Sequence, residues 1–385
     1  MGFRPRMGNN RQVELDLRTQ DHTGTSVMGP AAYVPVLKSR AGELRALSAL
    51  DSTTKQTITP LIEFTPPQDD VEAHLLRKID SLASVWGRDQ RILADYRYLN
   101  DAQVDGGVPA ARYLLELMLD RRMRAVPVMD PSNDRAVIEM ARRIVSAGAE
   151  GCCYRIPLPI DTRPDQANER IVDLLKASGL DPEQVDLVLD YGSVFGTQRL
   201  GYARSIRNVL AELVHADKWR NLILTATAFP ETLKDIPPDG KSSFERIEWQ
   251  SWSSLAESGP KTARIPTFSD YATAGVTLPH AKYRAALALR YTQDHEWLVF
   301  KGRLHSNGEP NFAFRRMCDE LTTSQGFSGP QASWGDRYLA GYVDGKMAGS
   351  SSTVWRQVAT SHHLTFVARQ LAATRLAAAS GQRSA

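Results

Sequence analysis

Eight times between residues 33 and 271, a short apolar or β-branched run ends near a polar residue and gives way to a segment with helical periodicity. The runs are YVPVLK (33–38), ITPLIEF (58–64), RILADYR (91–97), AVPVMD (125–130), GCCYRIP (151–157), DLVLDY (186–191), LILTATAF (222–229) and ARIPTFSDY (263–271). Their starts lie roughly 25 to 40 residues apart. That leaves room for a strand and a crossover helix, and is too long for a ladder of hairpins. VEAHLLRKIDSLASVW, PAARYLLELMLDRR, NDRAVIEMARRIVSAG and QANERIVDLLKASGL carry apolar residues at helical spacing, and SAGAEG and KASGLDP supply glycines where helices should stop.

An open doubly wound sheet has roughly five to seven strands and a glycine-rich turn after an early one. Neither GxGxxG nor GxxxxGK[ST] follows any of the runs. The pattern therefore predicts an α/β fold, a (β/α)8 TIM-type barrel over residues 31–275. After residue 275 the rhythm changes. RYTQDHEWLVFKGR predicts a strand pair, NFAFRRMCDELTTS a helix, and HHLTFVARQLAATRLAAAS a terminal helix capped by Ser361. Residues 276–385 are expected to form a small C-terminal α+β appendage packed on the barrel. Residues 1–30 are polar and basic with no apolar signal core, and read as a flexible leader. No stretch reaches the ~18 apolar residues that would span a bilayer.

A net charge of +3 on 385 residues lacks the excess of a dedicated nucleic-acid binder, although it permits a local patch. Cys152, Cys153 and Cys318 are too few for a disulfide framework and show no zinc spacing, so buried thiols in a cytoplasmic protein are expected.

A barrel of this kind carries its site at the C-terminal ends of its strands. Those ends read Lys38, Glu63, Asp95 with Arg97, Asp130, Arg155, Asp190 and Asp270, with only the seventh uncharged at Thr225, Thr227 and Phe229. Charges ending apolar strands should converge on the mouth, where they could bind a divalent metal or a phosphate, or move protons. They could equally form a structural ring of ion pairs. Glu63, Asp130, Asp190 and Lys38 are the candidate catalytic groups. Arg97, Arg155, Asp270, Arg356 and His362 are candidate ligand contacts, and Asp130 with Asp190 is a candidate Mg²⁺ or Mn²⁺ pair. Lys38 stands where barrel-type pyridoxal-phosphate enzymes carry their lysine. The late loops FPETLK and DYATAG lack the glycine cluster of a phosphate cup. No strand ends in His, which disfavours a histidine-rich metal site.

In the appendage, Trp334, Arg337, Trp355, Arg356, His362 and His363 form a second constellation. A start of the last helix near His362 and His363 would favour neutral imidazoles through the helix dipole.

YVPVLKSRAGELRAL, ITPLIEF, VPVMD and WRQVATSHHLTFVARQL resemble the "beta protein" family of phages and bacteria, from about residue 31 to 371. The resemblance implies a role in phage–host conflict and transfers no catalytic residues. Three functions remain open. One is a barrel hydrolase or transferase acting on a phosphorylated small molecule or nucleic acid. Another is a non-catalytic sensor that captures a protein partner through 276–385, using Trp334, Tyr338, Trp355 and Arg356. The third is direct nucleic-acid processing through the arginines of RRMR and ARRI.

Overall fold

A computed structural model describes residues 32–67, 70–133, 135–146, 150–258, 264–278, 287–303, 312–348 and 351–381. The leader expected over residues 1–30 lies outside them. In chain order the first elements are β1 (Tyr33–Lys38), α1 (Ala41–Ser48), α2 (Ser52–Thr57), β2 (Leu61–Glu63), α3 (Val71–Val85) and β3 (Ile92–Asp95). A short ladder of β4 (Gln103–Val104) and β5 (Val108–Pro109) leads into α4 (Ala110–Asp120). Then come β6 (Ala125–Met129), α5 (Arg135–Ser146), β7 (Cys152–Pro157), α6 (Pro164–Ser178), β8 (Val185–Ser193), α7 (Arg199–Ala211) and β9 (Asn221–Thr227). β10 (Gly240–Glu245), α8 (Ile247–Glu257) and β11 (Thr267–Asp270) follow. The last described elements are β12 (Ala288–Thr292), β13 (Glu296–Lys301), α9 (Phe312–Thr322), α10 (Trp334–Val343) and α11 (Ser352–Gly381).

Eight parallel strands, β1, β2, β3, β6, β7, β8, β9 and β11, close into a barrel. Closure pairs Tyr33 with Phe268 and Pro35 with Asp270. Each of the eight sequence runs supplies one strand, so the expected barrel is the observed fold. Side chains alternate across the wall, as the two-residue period of a strand requires. Val34, Val36, Leu61, Leu93, Val126, Val128, Cys153, Val188 and Ile223 fill the interior. Leu37, Ile62, Ala94, Met129, Ile156, Leu187, Leu189 and Leu224 face the helices in the larger outer core. Both faces of every strand are buried, which is why the runs read as continuously apolar. The floor is closed by Asp186, which accepts from Arg91 and Arg220.

Two glycines answer to specific needs. Gly179 ends α6 in the left-handed region at φ 65°. Gly151 enters β7 at φ +74°, and a Cβ there would stand 2.0 Å from the Gln184 carbonyl oxygen.

The appendage is tied to the barrel at two places. Its antiparallel sheet runs β10-β13-β12, so one edge strand comes from the loop after β9, inside the range expected for the barrel. One face of this sheet, with Leu289, Tyr291 and Phe300, packs under α9, α10 and α11 around Trp355. Its other face sends Trp297 and Val299 into the outer core of the barrel. α11 lies along α1, α2 and β1 and buries Leu364, Val367 and Leu371 in that same core. It therefore occupies the slot of an eighth barrel helix.

α11 begins at Ser352, not near Ser361. Ser361 is wholly buried mid-helix, and its carbonyl accepts from Thr365 Oγ1. The serines before Trp355 supply the start instead, with Ser351 Oγ accepting from the Val354 N–H. His362 and His363 thus lie too far along the helix for its N-terminal dipole to set their charge.

Candidate functional site

Arg155 stands at the centre of the barrel's upper layer with no exposed surface. Its Nε donates to Asp190 Oδ2 at 2.8 Å, Nη1 to Glu63 Oε1 at 2.9 Å and to Asp95 Oδ2 at 2.5 Å, and Nη2 to the Tyr271 hydroxyl at 2.6 Å. The Tyr271 hydroxyl in turn donates to Asp190 at 2.8 Å. Lys38 Nζ lies 3.5 Å from Glu63 Oε2 and donates to the Gly275 carbonyl at 3.0 Å. Arg97 Nε lies 3.3 Å from Asp95 Oδ2. Lys38, Arg97 and Arg155 thus balance Glu63, Asp95 and Asp190 in one network.

Burial shapes the electrostatics. Burial alone would raise the Asp190 carboxyl, but Arg155 and Arg97, with the Tyr271 hydroxyl and the Gly192 N–H, outweigh it and hold Asp190 below its ordinary value. Burial pushes the Tyr271 phenol well up, so it stays a hydroxyl donor. A buried pair of this kind is costly to desolvate and more costly to break. The convergence expected of Lys38, Glu63, Asp95, Arg155 and Asp190 is present, and their geometry is that of a closed ring that plugs the barrel.

Asp130 stands apart from the ring. Its Oδ1 accepts from the N–H and hydroxyl of Ser132 at 2.7 and 2.5 Å, and no group among the described residues bonds Oδ2. An open pocket of about 400 Å³ adjoins it, lined by Arg97, Asn100, Asp130, Pro131, Ser132, Pro157 and Arg170. These residues come from the C-terminal ends of β3, β6 and β7 and from the facing side of α6. Arg170, missed in the sequence, donates Nη1 to the Pro157 carbonyl at 2.7 Å. It is the seventh residue of α6, and its place on the helix that follows β7 was the signal that could have found it.

Asp130 and Asp190 do not share a metal set. Both Asp190 oxygens are engaged in the ring, and Asp130 faces the pocket. Among the described residues no group of three or more His, Cys, Asp and Glu side chains is placed to hold a metal ion.

Asp270 is not at the mouth. It points out of the barrel, accepting from Tyr33 Oη at 2.5 Å and lying 2.9 Å from His363 Nε2 on α11. Reading the last charge of the strand took the wrong face, since Thr267, Ser269 and Tyr271 are the inward residues of β11. His363 Nδ1 meets Thr292 Oγ1 at 2.8 Å. Burial lowers the His363 pKa despite Asp270, so the ring is neutral near pH 7. Arg246 and Glu248 extend this cluster, and burial pushes the Glu248 carboxyl up to about 8 against the pull of Arg246.

His362 diverges from His363. It stacks on Tyr291, and its two nitrogens meet Asp336 Oδ2 at 3.0 Å and the Thr292 carbonyl at 2.8 Å. With both nitrogens engaged and 2% exposure, it is a packing residue, not a ligand contact. Trp355 is a core residue at 1% exposure, with Trp334 and Tyr338 packed against it, so these aromatics do not form an exposed anchor for a partner. Arg356 lies on the α1 side, donating to the Thr273 carbonyl at 3.2 Å. Of the basic helix faces, Arg121 and Arg124 pair with Asp80 and Glu150. No helix among the described residues is long and apolar enough to cross a membrane.

A search of curated proteins finds no match. Among solved structures, an open form of tryptophan synthase from M. tuberculosis with BRD0059 bound matches at 12% identity and a TM-score of 0.24, over 65% of this chain and 84% of that one. At that score the likeness carries no weight beside the strand pairing. The family model described as Beta protein matches residues 33–369, from β1 into α11, and the chain belongs to that family.

Proposed function

We propose that the chain is a barrel enzyme, a hydrolase or transferase, that takes a phosphorylated ligand in the pocket between Arg97, Asp130 and Arg170. The observation that carries this reading is one open pocket of about 400 Å³ at the strand ends, with two guanidiniums and a carboxylate that keeps one oxygen free. Guanidinium forks match phosphoryl oxygens and stabilise charge that develops on them. Asp130, oriented by the Ser132 N–H and hydroxyl, holds Oδ2 toward the pocket as the acceptor for a proton from water or a substrate hydroxyl. The plugged ring fixes Arg97 from behind through Asp95, so the anion-binding wall is set before the ligand arrives.

A thermal-shift panel of nucleotides and sugar phosphates tests this, run on the wild type, Arg170→Ala and Asp130→Asn. A ligand at about 100 times its Kd should stabilise the wild type by roughly 2.7 kcal/mol. Arg170→Ala should lose that shift. Asp130→Asn should keep binding and lose turnover of whichever compound binds. A shift that survives Arg170→Ala unchanged would place the ligand elsewhere.

A further inference from the structure

On the opposite side of the mouth, at the seam where β12 and α11 meet the loop between β1 and α1, guanidiniums outnumber carboxylates. Arg356 Nε lies 4.0 Å from Glu43 Oε1, and its Nη1 holds the Thr273 carbonyl. Glu43 is already committed, since its Oε2 accepts the Lys38 N–H at 2.5 Å. Arg290, on the barrel-facing side of β12, lies over the Phe229 ring at 5.4 Å. Its Nε is buried, and its guanidinium has no hydrogen-bond or ion-pair partner among the described residues. Arg40 precedes α1, half-buried, and its side chain caps nothing. Lys78 adds a further cation, held by the Ser39 carbonyl at 2.5 Å.

Arg40, Arg290, Arg356 and Lys78 set against the one engaged carboxylate of Glu43 leave this seam three charges positive. A partly buried cation whose Nε is shut away from water and unpaired is costly, and folded proteins rarely leave one so. Burial, and then the neighbouring Arg356, pull the Arg290 pKa well down, the mark of a cation in want of a partner. Arg356 is lowered in the same way, first by burial and then, against Glu43, by Arg40.

We propose that Arg40, Arg290 and Arg356 form a binding site for a phosphate-class oxyanion, a phosphomonoester or inorganic phosphate. A doubly charged oxyanion would offset most of the excess, and its acceptor oxygens suit guanidinium donors. Arg290, partly buried with an unpaired Nε, supplies the innermost donor, Arg356 is oriented by Thr273 and Glu43, and Arg40 closes the rim. The site shares no residue with the Arg97–Arg170 pocket, so it stands whether or not that pocket binds substrate.

Inorganic phosphate is the probe, titrated into the full chain at constant ionic strength and followed by calorimetry and thermal shift. The variants are Arg290→Met, Arg40→Ala and Arg170→Ala. The wild type should bind saturably. Arg290→Met should be at least as stable as wild type without phosphate and bind it roughly tenfold or more weakly. Arg40→Ala, at the rim, should weaken binding by a smaller factor and guards against a misfolded Arg290 variant. Arg170→Ala should keep the saturable phosphate site that Arg290→Met weakens, whatever it loses at the mouth pocket. Undiminished binding in both Arg290→Met and Arg40→Ala, or no saturable binding by the wild type, overturns the proposal. Loss in Arg170→Ala alone would also overturn it, while supporting the mouth pocket. Phosphate and a phosphomonoester such as phenyl phosphate, compared on the wild type, separate free anion from esterified ligand.

Discussion

Arg155 Nε donates to Asp190 Oδ2 across 2.8 Å at the sealed top of the barrel, and the same guanidinium serves Glu63, Asp95 and Tyr271. Arg155→Met would leave three buried carboxylates with only Lys38 and Arg97 beside them. Breaking a buried network by removing one partner costs about 3–5 kcal/mol. The urea midpoint should fall accordingly, with the slope unchanged. A variant as stable as wild type would mean that the ring does not hold the strand ends together.

Glu248 makes stability fall toward alkaline pH. Its carboxyl ionises at about 8 in the folded chain against an ordinary 4.5. Between those values the folded state keeps a proton that the unfolded chain has released, so stability declines as pH rises. The contribution is whole below pH 4.5 and lost above about 8. Glu248→Gln can keep the acceptor for the Ala228 N–H and carries no charge. Its melting temperature should match wild type near pH 4.5 and exceed it at pH 8 and above. Parallel pH profiles would refute the assignment.

The contact of α1 with α11 depends on a missing side chain. A Cβ on Gly42 would come within 2.7 Å of the Thr353 carbonyl oxygen and 2.8 Å of Arg356 Cβ. Gly42→Ala should gain helix propensity yet lose about 1–3 kcal/mol through overpacking. Limited proteolysis should show faster cleavage within α11. A stabilised variant with unchanged cleavage would show that the two helices can separate cheaply.

Much of this architecture was legible because each barrel strand is a compact apolar run bounded by a polar residue. The same property hid the direction of individual side chains. With both faces of β11 buried, nothing in Phe268, Asp270 and Tyr271 says which looks inward, and Asp270 was assigned to the mouth in place of Tyr271. The start of α11 was obscured by serines that resemble a linker. Arg290 was invisible for another reason. Its lack of a partner is a property of three distant segments brought together, and no local pattern records it.

α11 fills the gap beside β1, although among the described residues β1 is the first strand and α11 the last helix. During synthesis β1 emerges long before the helix that covers it. Until α11 is available, the outer face of Tyr33 and Leu37 is open to any passing apolar surface. The barrel's hydrogen-bonded wall can close once β11 is made, but its protective coat cannot. Such a chain passes through a stage with a correctly paired sheet and one uncovered flank, where chaperone binding or self-association would compete with native completion.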